Sequence, residues 1–148
     1  MKHFSHLAGL AVAALLLSGC VDMLYRTRYQ VSPPTLSAPA NGQVSGVEEH
    51  DRRAIREILA RIAADLGYLE TDGFETPDTF ASYRQDIAHF PMRLKAWTAG
   101  RTAVVSVFLF TPGLFCPRAR EYLRVRERVE RDLRARFGNR VKRMPRGE

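Results

Sequence analysis

The run Ala103-Val104-Val105-Ser106-Val107-Phe108-Leu109-Phe110 limits the possible folds more than any other stretch of this chain. It is β-branched and aromatic, and apolar at nearly every position. A strand that is apolar on both faces needs cover on both, or a central place in its sheet. It stops at Thr111-Pro112-Gly113. The preceding stretch, Arg93-Leu94-Lys95-Ala96-Trp97, alternates instead. Leu94 and Ala96 fall on one face, and Arg93, Lys95 and Trp97 on the other. Thr98-Ala99-Gly100-Arg101 lies between the two and reads as a turn with a usable glycine, so the pair predicts a β-hairpin.

Two amphipathic helices flank this hairpin. The first is expected over about Val47 to Leu66. Ser45 with Glu48 makes a capping-box pattern, and Glu48, Glu49 and Asp51 place negative charge in the first turn. Ile55, Ile58, Leu59, Ile62 and Leu66 form one apolar stripe, and Gly67 is a natural stop. The second is expected over about Pro117 to Phe137, with Tyr122, Val125, Val129, Leu133 and Phe137 as its stripe. Glu127 with Arg131, Glu130 with Arg134, and Asp132 with Arg136 have the favourable i,i+4 order. From Tyr68 to Met92 the pattern is weak. Turn signals dominate, and Asp78 could cap a short helix carrying Phe80, Tyr83 and Ile87. A short helix or irregular segment is the preferred reading there, and an edge strand is the alternative. The sum is a small α+β two-layer sandwich of two helices on a short antiparallel sheet, in helix–hairpin–helix order. Two strands alone are marginal, so a third is expected from the weak segment or from a partner's edge.

The N-terminal part reads differently. Residues 20–46 are rich in Pro, Ser, Ala and Gly from Ser32 to Gly42 and predict a flexible tether. Tyr25 and Tyr29, with Arg26 and Arg28 between them, would then lie in the membrane interface or be solvated. Residues 1–19 begin with Lys2 and continue through an apolar run from Leu7 to Leu17 that is too short to span a bilayer. The run ends at Leu17-Ser18-Gly19-Cys20. This resembles the lipobox of bacterial lipoproteins. The resemblance implies cleavage before Cys20, acylation of that cysteine and, with Val21 rather than Asp after it, sorting to the periplasmic face of the outer membrane. Two or three acyl chains make a stable anchor, whereas one does not. The organisation expected is signal segment 1–19, lipidated tether 20–46, domain 47–141 and basic tail 142–148.

Charge is unevenly placed in a chain of net charge +7. Nine acids face four arginines between Glu48 and Asp78, whereas twelve basic residues face four acids between Arg118 and Arg146. The asymmetry implies either a bipolar surface or a match between the two halves. An exported domain is not expected to meet nucleic acid. Anionic headgroups or an acidic patch on another envelope or periplasmic protein fit better. The candidate binding surface is Arg93, Lys95 and Trp97 on the hairpin, with Arg124, Arg128 and Arg131 on the last helix.

Catalytic signals are few. With Cys20 acylated, Cys116 is the only remaining cysteine. It precedes Pro117 at an expected helix start, with Arg118 and Arg120 following, a setting that lowers a thiol pKa. The run Phe110 to Pro117 faintly resembles the strand–loop–Cys-Pro–helix of peroxiredoxins, but Gly113 stands where that family has Thr or Ser. The favoured reading of Cys116 is a small buried hydrophobe. A reactive thiol or an intermolecular disulfide is the alternative. His50 and His89 are too few and too far apart in sequence for a recognisable metal site, and no motif calls for a cofactor. Asp65, Glu70, Asp72, Glu75 and Asp78 sit in turn-rich sequence where carboxylates are ordinary. The function expected is a lipid-anchored, non-enzymatic binding or adaptor domain, of which an inhibitor or immunity lipoprotein is one version. A thiol enzyme or sensor using Cys116 and a structural envelope-assembly factor are the alternatives.

Overall fold

The computed structural model describes residues 22–34, 47–71, 76–85, 91–112 and 118–145. In chain order the elements are β1 (Asp22–Val31), α1 (Glu49–Leu66), β2 (Leu69–Glu70), β3 (Thr79–Gln85), β4 (Met92–Ala99), β5 (Thr102–Pro112), α2 (Ala119–Phe137), a 3-10 turn (Gly138–Arg140) and β6 (Val141–Arg143). The six strands form one sheet in the order β2-β3-β4-β5-β1-β6, with every neighbouring pair antiparallel. The helices pack on one face of it, α1 over β3 and β4 and α2 over β5, β1 and β6. This is the two-layer α+β sandwich the sequence implies.

The apolar run takes the central place its composition requires. β5 lies between β4 and β1. Ala103, Val105, Val107 and Leu109 enter the core, as do Met92, Leu94 and Ala96 of β4. The hairpin between β4 and β5 turns at Gly100, whose φ of +58° suits a residue without Cβ. Ile55, Ile58, Leu59 and Ile62 of α1 meet this face from above, and Tyr122, Val125, Val129 and Leu133 of α2 complete it. Each such aliphatic side chain, fully buried, contributes about 1.5–3 kcal/mol. α1 ends at Gly67, where a left-handed residue lets the Gly67 and Tyr68 amides bond back to the Ala64 and Ala63 carbonyls.

Three boundaries differ from expectation. First, the beginning of the supposed tether is a strand. β1 pairs along its whole length with β5, from Asp22↔Pro112 to Val31↔Ala103, and with β6 at Tyr29, Gln30 and Val31. Tyr29 and Val31 are core residues, and Tyr25 packs on the Tyr122 ring at 5.7 Å between centroids. These tyrosines are neither solvated linker nor interfacial residues. Residues 35–46 of the expected tether lie outside the described residues. Second, the weak segment supplies strands β2 and β3 rather than a helix. Phe80, Ala81 and Tyr83 pack under α1, and a register shift between Thr79 and Ala81 accommodates consecutive buried residues. Asp78 caps nothing; its carbonyl accepts from the Thr98 amide at 2.9 Å. Third, the tail after Val141 does not fray at once. Lys142 and Arg143 pair with β1, and the Met144 amide donates to the Arg28 carbonyl at 2.9 Å.

α1 starts at Glu49, with Glu48 at the N-cap position and no side-chain cap; Ser45 lies outside the described residues. Both edge strands are short: β2 has two residues and β6 three, with Leu69, Glu70, Lys142 and Arg143 exposed. β6 covers β1 only from Tyr29 to Val31 and β2 covers β3 only at Tyr83 and Arg84, so among the described strands most of β1 and the start of β3 keep an unpaired edge.

Candidate binding face of the sheet

Strand alternation decides what the sheet displays on the face turned away from α1 and α2. Odd positions of β1 and β5 and even positions of β4 enter the core, so their neighbours point the other way. Two cross-strand rows result. One runs Arg26, Phe108, Arg93, Arg84, and the next runs Arg28, Ser106, Lys95, Ser82. Five cations and no carboxylate occupy these eight positions. Above them stands a third row of Gln30, Val104, Trp97 and Thr79. The split of Arg93, Lys95 and Trp97 from Leu94 and Ala96 follows the sequence pattern.

The rings and cations of this face are interleaved. The Arg93 guanidinium lies 5.7 Å from the Phe108 ring centroid, and the Lys95 ammonium 6.0 Å from that of Trp97. Arg84, Arg93 and Lys95 each have interactions beyond these, so none of the three is without a partner. Partial burial, and then the charge of Arg28, lower the pKa of Arg26. A groove of about 520 Å³ opens here, lined by Arg26, Lys95, Phe108, Trp97 and Thr98. Its rim is completed by Thr76 and Asp78, where a Thr76–Thr79 hydroxyl bond of 2.9 Å and the Asp78 carbonyl hold the approach to β3. Within the second row, Ser106 Oγ and Arg28 Nε are buried without hydrogen-bond partners among the described residues. An unmade bond at a buried polar atom costs about 1–3 kcal/mol. The chemistry suits an anionic, partly apolar ligand: carboxylates for the guanidinium and ammonium groups, and flat or aliphatic groups for the two rings.

The last helix is a weaker candidate, because its charge is largely spent inside the molecule. Arg128 pairs with Asp65, Asp132 receives Arg61 at 3.5 Å and Arg131 at 3.1 Å, and Arg136 lies 3.1 Å from a ring nitrogen of His50. Arg140 pairs with the buried Asp51, donates to the Ser32 carbonyl at 2.8 Å and lies over Phe137. The acidic and basic halves are therefore matched across the helix seam in large part. Of the three expected i,i+4 pairs, Glu130–Arg134 forms at 3.1 Å, whereas Arg131 and Arg136 turn to other partners. Arg124 is exposed and has no ion-pair partner among the described residues. Apart from the buried Asp51–Arg140 pair, these contacts lie at the surface and are worth about 0–1 kcal/mol each, so their effect is to neutralise the helix surface.

Cys20, Cys116, His89, Asp72 and Glu75 lie outside the described residues. Arg118, one of the cations that follow Cys116, is buried and committed to the Glu121 carboxylate at 2.6 and 2.8 Å and to Gln85. Among the described residues no three of His, Cys, Asp and Glu are grouped as a metal site would need.

Arg26 and Phe108 belong to the groove and do not stand out in the sequence. Phe108 is hidden in a run apolar on both faces. Arg26 is hidden because its stretch reads as part of the tether, although Tyr25, Thr27, Tyr29 and Val31 alternate with Arg26, Arg28 and Gln30. No family model matches the chain, and no curated protein matches it closely enough to count as a relative.

Proposed function

We propose that this is a lipid-anchored binding protein facing the periplasm, held in the outer membrane through Cys20, and that its open sheet face receives an acidic segment of another envelope protein. The observation that carries the binding half is the pair of carboxylate-free cross-strand rows around the groove, with Trp97 and Phe108 set among the cations. An acidic segment is complementary in charge to a face that presents Arg26, Arg28 and Lys95, and such complementarity steers encounter and fixes register. The two aromatic rings add apolar area of the kind that dominates interface energetics. The membrane half rests on the lipobox resemblance of Leu17-Ser18-Gly19-Cys20.

The test is in vivo cross-linking followed by affinity capture through a C-terminal tag, with and without reductant. Wild type should yield one stoichiometric cross-linked partner that survives reductant, and a parallel capture without cross-linker should release the same partner with salt. The double variant Arg26→Glu with Lys95→Glu, and Trp97→Ala, should lose it. Arg124→Glu on the last helix should keep it. Equal capture by all variants would remove the sheet face as the site. Loss of the partner on reduction alone would transfer the role to Cys116.

A further inference from the structure

Only Val21 separates Cys20 from Asp22, the first residue of β1. One residue spans at most about 3.6 Å, so an acylated Cys20 leaves the domain almost no slack. We infer that the domain is seated directly on the anionic phospholipid surface that holds its acyl chains, on the end of the sheet where β1 begins, with Arg120 against the headgroups. The inference rests on the lipid-anchor reading and deepens it by fixing how the groove stands relative to the bilayer.

The register identifies that end. Asp22 lies beside Pro112, β4 begins there at Met92, and β3 finishes there at Gln85. Gln85 donates to the Leu66 carbonyl at 2.8 Å, which brings the end of α1 to the same level. Arg118 joins Gln85 to Glu121 and so brings the start of α2 there as well. Arg120, in the first turn of α2, and Arg124, one turn on, are both exposed. A cation near an anionic surface contributes favourably and loses that contribution within a Debye length.

The same register works as a ruler. Phe108 pairs with Arg26, four positions along β1 from Asp22, or about 13 Å at 3.3 Å per residue. Trp97 pairs with Val104, which pairs with Gln30, eight positions along, or about 26 Å. The groove therefore opens sideways, roughly 13–26 Å beyond the anchored end. A partner's acidic segment has to lie close to the membrane to enter it, which selects membrane-embedded or membrane-tethered proteins over freely diffusing ones.

The chain's lone tryptophan supplies the assay. The lipidated protein is reconstituted into vesicles of phosphatidylethanolamine and phosphatidylglycerol in which some lipid carries a headgroup nitroxide, a short-range quencher. Trp97 in wild type should keep its emission. A Trp97→Phe chain with Arg120→Trp should lose most of its emission, and Arg124→Trp in the same background serves as a second reporter; circular dichroism confirms that each variant folds. A Gly-Ser insert of about twelve residues between Val21 and Asp22, adding roughly 20 Å of reach, should restore emission at position 120. Mass spectrometry of the N-terminal peptide separates the anchor from the seating. An unacylated Cys20 would overturn the anchor reading itself. An acylated Cys20 with position 120 unquenched, with Trp97 the more quenched, or with the insert making no difference would overturn the seating alone.

Discussion

Tyr29 distinguishes a chain that begins folding at β1 from one that hangs on a tether. Its ring is fully buried in the core, opposite Val105. Its hydroxyl donates at 3.2 Å to both the Arg126 carbonyl and the Glu130 carboxylate. Tyr29→Ala removes an aromatic ring from a closed site and leaves a cavity, which costs about 3–5 kcal/mol in comparable cores. Tyr29→Phe keeps the ring and forfeits the hydroxyl bonds, a loss of about 0.5–1.5 kcal/mol. A tether residue would cost neither, since exposed substitutions away from special features stay within about 0.5 kcal/mol. Urea unfolding of the three proteins, followed by far-ultraviolet dichroism and Trp97 fluorescence, measures both numbers. The midpoint should fall in the order wild type, Phe, Ala. Two coincident midpoints for wild type and the Ala variant would show that β1 contributes nothing to the fold, and its place between β5 and β6 in the sheet would be wrong.

The same tyrosine makes a pH prediction. Burial first, and the neighbouring Glu130 second, raise the Tyr29 pKa well above its ordinary value, and burial does the same for Tyr68 and Tyr83. The unfolded chain releases these protons near pH 10 while the folded chain holds them, so stability is intact below that pH and falls as pH rises beyond it, by up to about 1.4 kcal/mol per unit for each tyrosine; Tyr29→Phe should flatten the fall in a urea titration by one tyrosine's share. Arg140→Met should destabilise by about 2–4 kcal/mol, because it strips the cation from a buried Asp51 while the α1 N-terminus still supports that carboxylate. Asp51→Asn with Arg140→Met should then be less damaging than the sum of the singles, and additivity within about 0.5 kcal/mol would remove the pair as a stabilising contact. Tyr122→Phe should cost about 1–2 kcal/mol by orphaning the buried Thr27 hydroxyl, which lies 2.7 Å from the tyrosine oxygen, and a calorimetric scan would detect it. Val105→Ala, at a fully buried position in the middle of the central strand, should cost about 1.5–3 kcal/mol, and a urea midpoint unchanged from wild type would refute its place in the core.

The elements legible in the sequence were those whose periodicity was uninterrupted. α1 and α2 carry apolar stripes over five turns, and the β4–β5 hairpin carries alternation, a turn glycine and then an apolar run. β3 was obscured because the register shift at its start places buried residues side by side, and period two is lost where a bulge inserts a residue. β1 was obscured for a different reason. Its alternation of Tyr25, Thr27, Tyr29 and Val31 with Arg26, Arg28 and Gln30 is intact, but both of its partners lie far along the chain, and the Pro-rich stretch directly after it lent its character to the whole segment. A strand that pairs only with distant strands leaves no local turn signal to announce it. The charge pattern was legible as an alternative rather than an outcome. The acidic and basic halves could have formed two poles, and the packing of α1 on α2 brings much of that charge together instead.

β1 gathers three roles that the sequence distributes over unrelated compositions. Its inward residues, Tyr29 and Val31, are core; its outward residues, Arg26 and Arg28, belong to the cationic rows; and its first residue follows Cys20 by two positions. Strand geometry couples these roles. A one-residue slip of β1 against β5 would exchange the faces, burying two guanidinium groups and exposing the tyrosines, at a cost far above the stability of a domain this size. The register is therefore held by the core, and the register in turn fixes which cations line the groove and how far along the strand from the anchor they stand. Substitutions that loosen the core under β1, Tyr29→Ala above all, should weaken partner capture in proportion to the stability they remove, whereas Arg26→Glu should abolish capture with the urea midpoint unchanged. That contrast separates a face that binds from a face that is merely charged.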